Sequence, residues 1–138
     1  MPETVRKVDL YSIEIPNKVG EGAKVLGAFR EAQINFHVVW GYPLRGKTAR
    51  IDLVPGDRTA FMKAAKKAGL TLSPRQTAFL IEGNDHPGAM SEILSKLSAG
   101  GINVFAAQAV CTGGNRYGGI VMVAADDVRK AAKLLGAS

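Results

Sequence analysis

The sequence predicts an α+β fold made of two tandem copies of a β-α-β-β-α-β unit, each an antiparallel sheet with its helices on one face. Three observations predict it. The first is an internal repeat: Ile13-Glu14 recurs as Ile81-Glu82, Gly20 as Gly88, Val25-Leu26 as Ile93-Leu94 and Ile34-Asn35 as Ile102-Asn103, each about 68 residues on (81 − 13). With a shift of one or two residues, Ile51, Leu53 and Val54 then match Ile120, Met122 and Val123, and Ala64-Ala65-Lys66 matches Ala131-Ala132-Lys133. Two copies are too few for a solenoid, which needs about three to bury a continuous core. The second observation is that hydrophobic periodicity switches between strand-like and helix-like in the same order in both halves. The third is size. A unit of about 60 residues buries only about 60% of its unfolded surface, so the halves of a 138-residue chain are expected to share an interface or to dimerise.

In the first copy, Val8 to Ile15 alternates as a strand does and stops at Pro16-Asn17. Val25, Leu26, Phe29 and Ala32 form one stripe of an amphipathic helix from Glu21 to Gln33. Ile34 to Trp40 is rich in β-branched and aromatic residues, Gly41 to Lys47 holds turn formers, and Thr48 to Val54 alternates again, which predicts a hairpin. Pro55-Gly56-Asp57 breaks the chain and caps a second helix with Phe61, Ala64, Ala65 and Ala68 on its apolar face. Gly69 stops that helix, and Leu70 to Leu72 is expected to form a short last strand.

The second copy repeats the order. Thr77 to Glu82 is a strand, and Pro87 is expected at the first helical position, where its missing amide costs nothing. Met90, Ile93, Leu94 and Leu97 face inward, and Gly100-Gly101 ends the helix. Ile102 to Thr112 and Gly118 to Ala124 form a hairpin around Gly113-Gly114-Asn115, and a last helix runs from Asp126-Asp127 through Leu135. Each copy thus has the ferredoxin-like order. Only Gly136-Ala137-Ser138 follow, so the second copy is expected to lack a clear last strand and to leave the edge of Thr77 to Glu82 open. A strand of the first copy or of a second chain is expected to cover it. Residues 1–73 and 77–138 are the expected domains, joined through Ser73-Pro74-Arg75-Gln76.

Composition excludes several classes. Hydrophobic residues make up 46% and charged residues 22%, which is ordinary for a globular chain and argues against disorder. No apolar run reaches the roughly 18 residues a membrane helix needs, and the start lacks signal-peptide features, so a cytoplasmic protein with no membrane partner is expected. Cys111 is the one cysteine and His37 and His86 the two histidines, with no ligand spacing among them; no metal and no cofactor are expected. Cys111 reads as a buried, inert thiol in a strand. The net charge of +6 is scattered over helix faces and one hairpin rather than gathered in a patch.

Chemistry concentrates at the turn that opens the first helix of the second copy: Asn84, Asp85, His86, Pro87, Gly88, Ala89 and Met90. A helix N-terminus offers amides and partial positive charge to a carboxylate, Asn84 and Asp85 offer oxygens to an ammonium, and Gly88 lets backbone come close. The turn is followed by Gly101-Ile102-Asn103-Val104, and the first copy carries the weaker counterparts Asn17-Lys18-Val19-Gly20 and Ile34-Asn35. In these residues the sequence resembles the ACT domain, a family of small-molecule sensors attached to enzymes of amino-acid metabolism, over about Tyr11 to Leu135. The resemblance implies an amino-acid ligand held at an interface of ACT modules, with Asn84 through Met90 and Asn103 as the stronger site and Asn17, Gly20 and Asn35 as the weaker one. It also implies allosteric regulation and an enzyme as partner, while the missing last strand and the small size of each module predict a homodimer.

Other classes are open to the same fold. A regulatory subunit docked on a biosynthetic enzyme, like the small subunit of acetolactate synthase, uses these modules too. Catalysis is not expected, because His37 and His86 occupy unlike positions in the copies and no triad or carboxylate pair stands out. Arg116 to Val123 has the outline of an RNA-recognition strand, but Ile120 and Val123 stand where stacking rings are required, so no specific nucleic acid is expected.

Overall fold

The computed structural model describes residues 3–138, and its contacts divide the chain into two compact units. One is Asp9–Gln76; the other joins the residues up to Val8 with Thr77–Ser138. Both are α+β modules of the expected ferredoxin-like kind. The division differs from 1–73 and 77–138 chiefly in its first residues, which belong with the second copy.

The Asp9–Gln76 unit holds most of β1 (Thr4–Pro16), then α1 (Glu21–Glu31), β2 (Phe36–Pro43), β3 (Thr48–Pro55) and α2 (Arg58–Lys67). The strand order is β2-β3-β1, and β3 pairs antiparallel with both neighbours, with Tyr11 opposite Leu53 and Ile13 opposite Ile51. Alternation places Tyr11, Ile13, Ile51 and Leu53 on one face, where Val25 and Phe29 of α1 and Phe61 and Ala65 of α2 cover them. The core is aromatic: the ring centroids of Phe29 and Phe61 lie 5.0 Å apart and those of Tyr11 and Phe61 5.4 Å. On the opposite face Ser12 and Asp52 are buried polar groups satisfied locally. The Ser12 hydroxyl donates to Asp52 Oδ1 at 2.6 Å, and Tyr42 donates to Oδ2 at 2.6 Å. The Leu70–Leu72 segment is not a regular strand; beside it, Ser73 N–H donates to the Ser12 carbonyl at 2.9 Å.

The other unit holds β4 (Gln76–Asn84), α3 (Ala89–Ala99), β5 (Val104–Cys111), β6 (Arg116–Val123), a 3-10 turn (Ala125–Asp127) and α4 (Val128–Leu135). β6 lies antiparallel between β4 and β5, with Phe79 opposite Val121, Ile81 opposite Gly119 and Gly83 opposite Tyr117. Ile93 and Leu97 of α3 and Ala131 and Leu135 of α4 cover Phe79, Ile81 and Val121 in a mainly aliphatic core.

The start of β1 supplies what the second copy lacks. β1 neighbours β4, and Val5 is buried in the same cluster as Phe79 and Ile81. Lys7 N–H donates to the Ser138 carbonyl at 3.1 Å, and Ser138 N–H to the Val5 carbonyl at 3.0 Å. The β4 edge left by the missing last strand is therefore covered within the chain, by the strand that also serves the first copy, and a second chain is not needed for that purpose.

Two further expectations are corrected. The pairings Ile13 with Ile51 and Ile81 with Gly119 make Ile51 the counterpart of Gly119. The repeat therefore keeps its spacing of about 68 residues (119 − 51) through the third strand, and the extra-residue shift read from Ile120 is wrong. Pro87 is not the first helical residue either, since α3 begins at Ala89 after Gly88.

Candidate ligand site

The two copies open their first helices in the same unusual way. Gly88 precedes α3 with φ of 85° and Gly20 precedes α1 with φ of 86°, and in neither is there a side-chain cap. That left-handed geometry is where glycine is favoured, since a Cβ carries a steric cost there. α2 shows the ordinary alternative: Asp57 accepts a hydrogen bond from Ala60 N–H at 3.1 Å. The chain thus possesses a conventional cap and does not use one at the two turns that the repeat singles out.

The turn before α3 opens onto a cavity of about 310 Å³, near the lower end of the roughly 300 to 1,000 Å³ usual for ligand pockets. Asp85, His86, Gly88, Ala89 and Met90 line it, with Ser91 of α3, Ala109, Val110 and Cys111 of β5 and Tyr117 of β6. Five of the residues expected from the sequence are therefore brought together. Asn84 does not line the cavity; its side chain accepts from Arg116 at 3.1 Å at the end of β4. Pro87 and Asn103 are also not among the lining residues. His86 Nδ1 lies 3.0 Å from the Pro87 carbonyl oxygen, which accepts, and His86 Nε2 is 3.9 Å from Glu92.

The floor of the cavity was hidden from sequence reasoning. Tyr117 is buried beneath it, and its hydroxyl donates to the Glu3 carboxylate in a short hydrogen bond. Burial first, and then that hydrogen bond and the Glu3 charge, push the Tyr117 phenol well above its ordinary range, so the hydroxyl stays protonated. Gly83 makes this possible: a Cβ there would lie 2.8 Å from Glu3 Cγ and 2.9 Å from Tyr117 Cε1. Gly119 plays a similar part for Met90, whose sulfur would be 3.3 Å from an added Cβ. Cys111, expected to be buried, is exposed on β5 and lines the cavity, because β5 is the outermost strand of its sheet.

The first copy has a cavity of about 390 Å³ at the equivalent place, lined among others by Asn17, Lys18, Gly22, Leu26 and Tyr42. Gly20 and Asn35 are not in its lining; the Asn35 carbonyl accepts from Gly56 N–H at 2.9 Å, next to the pairing of Phe36 with Pro55 at the end of the β2–β3 ladder. Among the described residues no group of three or more His, Cys, Asp or Glu side chains is placed to hold a metal, and no helix is long and apolar enough to cross a membrane.

No protein-family model matches the chain, and no curated protein matches it by sequence. Solved structures do match its fold. The protein BT0572 from Bacteroides thetaiotaomicron aligns with a TM-score of 0.82 at 19% identity, over 96% of this chain and 88% of that one. The ligand-free regulatory subunit of aspartate kinase from Thermus thermophilus aligns at 0.64 and 17% identity, over 99% and 95% of the two chains. The regulatory subunit of aspartate kinase from Thermus flavus aligns at 0.54 and 18% identity, over 98% and 94%. At these identities the likeness is one of fold, and it extends over nearly the whole length of each.

Proposed function

We propose that the protein is a non-catalytic sensor that binds an amino acid or a closely related metabolite in the cavity before α3 and thereby regulates amino-acid metabolism. The observation that carries this reading is the uncapped α3 N-terminus, opening through left-handed Gly88 onto a small cavity with both apolar and polar walls. Free amides at such an end suit a carboxylate. The likeness in fold to two aspartate kinase regulatory subunits supports regulation as the role. It supports equally the second reading, a separate subunit that docks on a biosynthetic enzyme, because both align over at least 94% of their own length.

A thermal-shift screen against the twenty L-amino acids tests the sensor reading. A ligand at 100 times its dissociation constant adds about 2.7 kcal/mol to stability, a shift that such a screen detects. If none of the twenty shifts the wild-type protein, the reading as a sensor of a standard amino acid fails. The positive charge is expected to give only sequence-independent association with nucleic acid that vanishes as salt rises, and a salt-resistant complex would count against the reading.

The homodimer belongs to the same proposal on altered grounds. With the β4 edge covered, the support that remains is β5, an outer strand on which Phe105 is 67% and Val110 60% exposed. Val110 also lines the cavity, so a second copy seated there would lie against the site. Sedimentation equilibrium at low micromolar concentration is expected to show a dimer, and a stable monomer would remove this part.

A further inference from the structure

We infer that Glu3, acting through Tyr117, makes the α3 cavity selective for a protonated amine, so that the site takes an α-amino acid and rejects the 2-hydroxy acid of the same side chain. The inference rests on the sensor reading above and adds to it which wall recognises the ammonium group and which residue sets that wall.

The geometry begins with a row across the sheet. Cys111 pairs with Tyr117 and Tyr117 with Gly83, and Glu3 meets Tyr117 over Gly83, where a Cβ would lie 2.8 Å from Glu3 Cγ. Tyr117 and Cys111 line the cavity, whereas Glu3 does not; it is a positioning residue, reaching over the bare Gly83 backbone to take the phenolic proton. A phenol whose proton is committed to a carboxylate has its remaining lone pairs as acceptors only. The wall so formed can accept from N–H donors and has nothing to offer an anion. Glu92, on the first turn of α3, adds a second negative charge near the phenol, opposed by Arg116. An ammonium group satisfies such a wall with a charge-assisted hydrogen bond; a neutral 2-hydroxyl can donate only a weaker one.

At these positions the other copy lacks the device, and its own phenol–carboxylate pair, Tyr42 donating to Asp52 Oδ2, comes from β2 and β3 instead. Its residues at the positions of Gly83 and Tyr117 are Ile15 and Ala49, which pair with each other in the same register and carry no hydroxyl or charge. The small and large members have changed places, so the pocket in the Asp9–Gln76 unit has an apolar side chain where this one has a phenol. Sequence comparison of the repeats does not reveal the role of Glu3, because it comes from a segment about 80 residues before Gly83 (83 − 3).

The test compares the full-length protein with Glu3→Gln, measuring melting temperature against the twenty L-amino acids and then against the 2-hydroxy acid of each that responds, for example L-lactate for L-alanine or L-malate for L-aspartate. The wild-type protein is expected to respond to at least one amino acid and at least tenfold more weakly, by concentration, to its hydroxy acid. In Glu3→Gln the preference should fall to within about threefold, by loss of affinity for the amino acid, while the far-UV spectrum is unchanged. A merely structural Glu3 would lower the melting temperature and leave the preference intact, which would overturn the inference and spare the sensor reading. A wild-type protein that responds equally to both members of a pair would overturn it too. If no amino acid is bound at all, the sensor reading falls and this inference with it. Should Glu3→Gln fail to fold, Tyr117→Phe keeps the ring, removes the acceptor, and must narrow the preference in the same way for the inference to stand.

Discussion

Two turns at equivalent places in the repeat hold different chemistry, and the difference lies in which partner of each contact is large. In the Asp9–Gln76 unit the helix side has Gly22 and the sheet side Ile51, whose Cδ1 would lie 3.9 Å from a Cβ on Gly22. In the other unit the helix has Met90 and the sheet Gly119. Ile15 and Ala49 in one copy correspond to Gly83 and Tyr117 in the other, again with the sizes reversed. Volume is roughly conserved across each contact, so both copies pack, as close-packed interiors require. What changes is the surface left facing the cavity. Exchanging sizes between facing positions thus alters the chemistry of a pocket without opening a hole beneath it.

The cores beneath the two turns set the largest expected effect. Phe61→Ala should cost about 3 to 5 kcal/mol, because it removes the ring that meets Tyr11, Phe29 and Phe36. Leu97→Ala in the other unit should cost about 2 to 5 kcal/mol. Urea unfolding with separate probes for the units would show whether each loss is confined to its own module. Loss of the second module on Phe61→Ala would break the description as two cores.

The size exchange gives the next effect. Gly119→Ile alone places a Cβ 3.2 Å from the Gln108 carbonyl and 3.3 Å from the Met90 sulfur, and should cost about 1 to 3 kcal/mol. Met90→Gly with Gly119→Ile rebuilds the pairing of the first copy. Denaturant midpoints for the full cycle should give a favourable coupling of about 0.5 to 3 kcal/mol, and simple additivity would contradict the exchange.

The capping contrast predicts a smaller change. Asp57→Ala should cost about 1 kcal/mol through loss of the bond to Ala60 N–H. His86→Ala beside the uncapped α3 should change stability by less than about 0.5 kcal/mol, as for surface positions generally. Equal losses in the two variants would mean that His86 supports α3 after all.

Tyr42 in the first copy is raised above its ordinary range too, by burial and then by its bond to Asp52, so the pH signature of the α3 cavity is the part that depends on Tyr117. The folded Tyr117 phenol lies above the unfolded value of about 10, so the folded state holds the proton more tightly. The stability this contributes is complete below about pH 10 and is lost as pH rises toward the folded value. Tyr117→Phe should remove that part of the alkaline decline, and Glu3→Gln should shift its onset down. Absorbance titration of the wild-type protein against the two variants checks both; if the tyrosine lost in Tyr117→Phe titrates in the ordinary range, the buried pair is contradicted.

The helices and strands were legible because each has one buried face, and period 3.6 or 2 shows that face in the residues themselves. Five of the seven turn residues from Asn84 to Met90 line one cavity, and the turn was legible because Pro-Gly before an apolar stripe has a local geometric meaning. What was not legible was non-local. The strand that completes the second module is the start of β1, far away in the chain, and no local pattern marks Val5 as belonging with Phe79. Tyr117 becomes a cavity floor only through its register with Gly83, and one residue of slip would turn it to the other face. Cys111 reads as buried from its apolar neighbours, but burial on a strand depends on having a neighbour strand, and β5 has one on one side only.

The central proposal, that the turn before α3 is the better ligand site of the two, is tested most directly by Gly88→Val and Gly20→Val. Both glycines are left-handed with no heavy atom within 4 Å of a Cβ, so the two variants should lose the same 1 to 2 kcal/mol or so of stability from strain alone. Thermal-shift titration with the amino acid that stabilises the wild-type protein should give the full response in Gly20→Val and none in Gly88→Val. The reverse result, with Gly88→Val responding normally and Gly20→Val silent, would contradict the account.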